Sequence, residues 1–72
     1  MIKNAEIARQ ISDLMIEIGG RLDGSVLVVQ QQCSPEEFRF YRRAIGQVLG
    51  DMLDILNPLY EEHPSLKPPQ ME

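Results

Sequence analysis

Cys33 and His63 are each the single residue of their type in the sequence, and together they have the chemistry of a nucleophile and its base. A thiolate–imidazole pair must meet within hydrogen-bond reach, and a metal would need further ligands beside them. Their spacing argues against both. They stand thirty residues apart, a separation of about 45 Å if the chain between them is helical. Cys33 therefore reads as a small turn residue, and His63 as a helix-end residue interacting with terminal carbonyls. Glu36-Glu37 and Glu61-Glu62 are adjacent carboxylates, which diverge on a helix and form no acid–base dyad. The sequence thus assigns no catalytic residue, no metal ligand set and no cofactor site, and an enzyme is the least expected class.

A second group has the chemistry of binding. Arg39, Phe40, Tyr41, Arg42 and Arg43 mix bases with aromatic rings, a combination that can stack on single-stranded nucleic acid and neutralise it. Helical periodicity breaks this group up. Phe38 and Tyr41 fall on an apolar arc, while Arg39 and Arg43 can pair with Glu36 or with solvent. Arg42 lies at the edge of the arc and Phe40 points away from it, as an interface anchor does. Gly46 and Gly50, four residues apart, share one side of a helix. Such spacing serves close helix crossings in membranes, but Arg43, Asp51 and Asp54 exclude a bilayer here. The expected role is a close crossing in a bundle, with Gly19 and Gly20 at the same level on the other helix. A bulky side chain at Gly50 would then force the helices apart. The other reading is a glycine-lined gap that admits a ligand.

Two helices must position these residues. Ser34 can accept a backbone N–H as an N-cap, Pro35 suits the first helical position, and Glu37 can close a capping box. An apolar periodic run follows from Phe38 to Tyr60, and another precedes it from Ile7 to Val29. Asn4 is the expected N-cap of the first helix, with Glu6 in its first turn. Ile7, Ile11, Leu14, Ile18 and Leu22 form one stripe, widened by Met15 and continued by Val26 and Val29. Gly19, Gly20 and Gly24 each cost a helix interior about 1 kcal/mol relative to alanine. Asp23-Gly24 and the β-branched run Val26–Val29 also allow a turn and a short strand. An antiparallel hairpin turning at Cys33–Ser34 favours the continuous helix. It sets Val29 against Phe38, Val26 against Tyr41, Leu22 against Ile45, Ile18 against Leu49, Leu14 against Leu53, Ile11 against Leu56 and Ile7 against Tyr60. A strand there would have no partner strand. At Asn57-Pro58 the second helix is expected to kink, or to end and restart for one more turn. From His63 onward the prolines predict an extended tail.

A chain of 72 residues holds one domain, and chains this small need a disulfide, a metal or oligomerisation. One cysteine allows no internal disulfide, which leaves oligomerisation. A net charge of −4 repels phosphate backbones and argues against nucleic acid as a partner. No apolar run approaches the ~18 residues of a membrane span. Met1-Ile2-Lys3-Asn4 lacks a signal-peptide core, and a lone thiol suits a reducing cytoplasm. Along the second helix the arginines cluster in the first half and Asp51, Asp54, Glu61 and Glu62 fill the second, against the preference of the helix dipole. An antiparallel neighbour, either the first helix or a second copy of the second, would reconcile that order.

These readings converge on an all-α fold: a long antiparallel two-helix hairpin over residues 1–62, pairing into a four-helix-bundle dimer. Helix 1 spans about 4–32, helix 2 about 35–57 with a further turn at 58–62, and 63–72 form a Pro-rich extended tail. The expected dimer interface is on helix 2: Phe38, Tyr41, Ile45, Val48, Met52 and Leu59 of the wide arc, Arg42 at its edge, and Phe40 outside it. The expected function is a cytoplasmic protein–protein interaction module, an adaptor or regulator, partnered by itself or by another protein. An immunity- or antitoxin-like inhibitor of a basic protein and a ligand-binding helical bundle are the alternatives.

Overall fold

Asn4 starts the first helix by accepting the Ile7 N–H on its side-chain oxygen at 3.1 Å. A computed structural model of the protein describes residues 2–68. In it α1 runs unbroken from Ala5 to Gln32. The glycines and the β-branched run are all helical, because a strand would leave Val26 and Val29 with nothing apolar to pack on. Cys33 stops α1 in an extended conformation, its N–H donating to the Val29 carbonyl at 2.9 Å. Ser34 follows at once as the next cap. The Glu37 N–H donates to Ser34 Oγ at 3.2 Å, and the Ser34 N–H donates to the Glu37 carboxylate at 3.0 Å. Both halves of the capping box are thus in place, and the turn needs only these two residues.

α2 runs from Pro35 to Glu62 and passes through Pro58 without ending. The expected stop at Asn57 does not occur. Pro58 removes one hydrogen bond near the end of the helix, and burial of Leu59 and Tyr60 immediately after it holds the last turn in place. The tail also departs from the extended form expected of it. Pro64–Leu66 form one 3₁₀ turn, closed by the Lys67 N–H donating to the Pro64 carbonyl at 3.2 Å. Leu66 folds back onto the core. Met71, the other large apolar side chain of the tail, lies outside the described residues.

The fold is all-α, a hairpin of two antiparallel helices. Its core sits at the end remote from the turn, where Ala8, Leu56, Leu59 and Tyr60 are buried together under Ile2, Ile11, Met15 and Leu66. The face that α1 turns to α2 differs from the apolar stripe. Ala8 and Ser12 are 0% and 2% exposed, whereas Ile7, Leu14 and Ile18 of the stripe stay exposed, Leu14 at 47%. Small side chains at the contact let the helices approach closely, so the bulky stripe is displaced to one flank.

Candidate interaction surfaces

Two hydroxyl pairs set the rotation of α1 against α2. Ser12 Oγ lies 2.7 Å from Tyr60 Oη in the buried core, and Ser25 Oγ lies 2.8 Å from Tyr41 Oη nearer the turn. A buried tyrosine hydroxyl needs a partner, and these serines provide it. The sequence reading missed both pairs. A signal was present: each tyrosine sits on the apolar arc, and a serine stands within about a turn of its expected opposite. Helical side chains lean toward the N-terminus of their own helix, which carries Tyr60 toward Ser12 rather than Ile7.

With α1 so rotated, the hairpin has two unlike flanks. One carries Ile7, Leu14 and Ile18 of α1, all exposed. On α2, the exposed Val48 also lies on the side away from Gly46 and Gly50. The other flank is an open apolar groove of about 430 Å³. Met15, Ile16, Gly19 and Gly20 line it from α1, and Gly46, Leu49, Gly50, Met52, Leu53 and Leu56 from α2.

The four glycines therefore do not mark a close crossing within the chain. A Cβ at Gly20, Gly46 or Gly50 would meet nothing within 4 Å, and one at Gly19 would sit in ordinary contact, 3.7 Å from Leu49. They are brought together as the floor and rims of the groove. The groove has charged surroundings at both ends of α2. Arg39, Arg42 and Arg43 line a hollow toward the turn, and Asn57, Tyr60, Glu61 and Lys67 line another toward the chain ends. Among the described residues, Arg39, Arg42, Arg43, Asp51, Asp54 and Glu61 make no ion pair, so of the two environments expected for Arg39 and Arg43, Glu36 or solvent, they take solvent.

The expected interface on α2 divides. Leu59 is 0% exposed and Ile45 is buried, so both are used up inside the hairpin and offer no docking surface. Phe38, Tyr41 and Met52 are half-buried; Arg42 and Val48 are exposed. Phe40 is 77% exposed and borders a shallow hollow at the turn with Val29, Cys33, Glu36, Glu37 and Tyr41.

His63 meets a terminal carbonyl of its own helix through its backbone N–H, which donates to the Leu59 carbonyl at 2.9 Å, while its imidazole turns away from the helix. Its Nε2 lies 2.6 Å from the Ile2 carbonyl oxygen. A carbonyl only accepts, so Nε2 carries the proton and donates. The contact ties the end of α2 to the segment before α1. Cys33 is exposed at the turn, the opposite end of a hairpin 45 Å long. The two residues are not brought together. Glu37 is held below the usual carboxylate range, first by the Ser34 backbone N–H and then by the Ser34 hydroxyl. Among the described residues, no helix is long and apolar enough to cross a membrane. No family model, curated protein or solved structure matches the chain.

Proposed function

We propose that this chain is a protein–protein interaction module, an adaptor or regulator, that works as a homodimer and has no catalytic role. One observation carries the reading: the hairpin leaves large apolar side chains uncovered on both flanks, Ile7, Leu14, Ile18 and Val48 on one and Ile16 and Leu53 on the other. Contiguous exposed apolar surface rimmed by charge is the mark of an association site. A small chain without disulfides gains its missing stability by association. The lone exposed thiol suits a cytoplasmic setting. Sedimentation across the micromolar range tests the reading. A concentration-dependent dimer is expected; a folded monomer throughout would refute it.

The groove also favours a second reading, a site for a small apolar ligand. Its shape counts against that alternative. Small-molecule sites enclose ~70–90% of their ligand, and this groove is walled by only two helices. A helix laid along it makes the better fit. Inhibition of a basic protein has only the net charge of −4 in its favour.

A further inference from the structure

The charge order of α2 identifies what covers the groove. Arg39, Arg43, Gly46, Gly50, Leu53 and Glu61 fall on one face of α2, at steps of four, three, four, three and eight residues. Gly46, Gly50 and Leu53 of that face are groove residues. The face is thus mainly basic toward its start, where Glu36 borders it, small and apolar at its middle, and acidic toward its end, where Asp54 borders it and Lys67 shares the hollow of Glu61. Its charges are unpaired within the chain among the described residues, and their order opposes the helix dipole.

We infer that a second copy of this chain occupies the groove, docked about a two-fold axis with its α2 antiparallel and its Gly50 opposite Gly46. The inference rests on the homodimer reading and adds the face and the register. In that register Arg43 of each copy stands beside Asp54 of the other, and Arg39 comes within about one helical turn of both Asp54 and Glu61. Leu53 of each copy fills the open space above the glycines of the other, where a Cβ at Gly46 or Gly50 would meet nothing within 4 Å beyond its adjoining residues and its own helix backbone. A parallel copy would set arginine against arginine. A two-fold interface uses one patch twice, so that patch must complement itself, and a face basic at one end and acidic at the other does so only when run antiparallel. The area agrees. The chain exposes 5477 Å², about 900 Å² more than the surface expected of a folded monomer of 8.2 kDa. Each partner of a standard interface gives up about 800 Å².

Charge-swapped variants of the full chain test the register. Arg39→Glu with Arg43→Glu sets acid against acid, and Asp54→Lys with Glu61→Lys sets base against base. Each double variant alone is expected to dimerise at least about tenfold more weakly than the parent. Mixed one to one, they are expected to regain the parent affinity, because both ends then carry opposite charges. Gly50→Leu, whose Cβ would meet nothing within 4 Å, should keep full helicity by circular dichroism and lose the dimer. If the parent dimerises while the double variants associate as well as it does, or the mixture shows no recovery, the face and register are wrong and the homodimer reading survives. A Gly50→Leu dimer as tight as the parent's has the same meaning. A parent that stays monomeric overturns both.

Discussion

The Ser12–Tyr60 pair exchanges one hydrogen bond inside the core, and its removal from one side is costlier than from both. Tyr60→Phe leaves the Ser12 hydroxyl buried without a partner, an expected loss of ~1–3 kcal/mol. Adding Ser12→Ala should recover most of it, and a double-mutant cycle by urea melts checks the difference. At the turn, Ser34→Ala removes the cap acceptor and is expected to cost ~1 kcal/mol. Glu37 makes the cap sensitive to acid. Its folded pKa lies below its unfolded one because the Ser34 N–H and hydroxyl favour the carboxylate. Its contribution is therefore complete above the unfolded value and fades as pH falls through the lowered folded value. In Glu37→Gln, thermal melts below about pH 4 should lose less stability with falling pH than the parent does. These cap residues were legible in the sequence because capping is local and its spacing is fixed. The hydroxyl pairs were not, since each joins residues far apart in the chain and a lone serine on an apolar stripe reads as a defect.

Each helix was legible as an element, including the passage of α1 through three glycines. Its rotation was not. Periodicity ranks side chains by hydrophobicity, so it chose Ile7, Leu14 and Ile18 as the inner face. Packing also rewards close approach, and Ala8 and Ser12 won that position. The glycines were expected first at a close crossing, with a glycine-lined gap as the other reading, and the gap is what the structure shows. The expected effect of Gly50→Leu on the isolated hairpin now reverses. With nothing within 4 Å of its Cβ, the substitution replaces a poor helix former by a good one. Melts of the hairpin below its dimerisation range should show stability unchanged or raised by up to about 1 kcal/mol. Leu59→Ala should cost ~2–5 kcal/mol by comparison, as its side chain is wholly enclosed.

The whole hairpin measures 45 × 19 × 16 Å, with a radius of gyration of 14.5 Å against about 11 Å for a rounded domain of this length. Such a rod encloses little, and among the described residues five apolar ones are buried in it. Self-association was therefore the expectation that followed most directly from size, whereas the face proposed for it required the three-dimensional placement of the glycines. The tail belongs to the fold at this scale. Leu66 covers the core and His63 holds Ile2, so truncation after Glu62 should lower the melting temperature. An unchanged melt would show these contacts to be idle.

The location of the core also governs how the chain reaches its native state. Ser12–Tyr60 and Ile2–His63 link residues 48 and 61 positions apart, while the region beside the turn buries less. Closing so long a loop before its reward is collected slows the search. A circular permutant that joins the chain ends and opens between Cys33 and Ser34 makes those same contacts short-range. In stopped-flow refolding under monomeric conditions, such a permutant should fold faster than the parent and meet its core first.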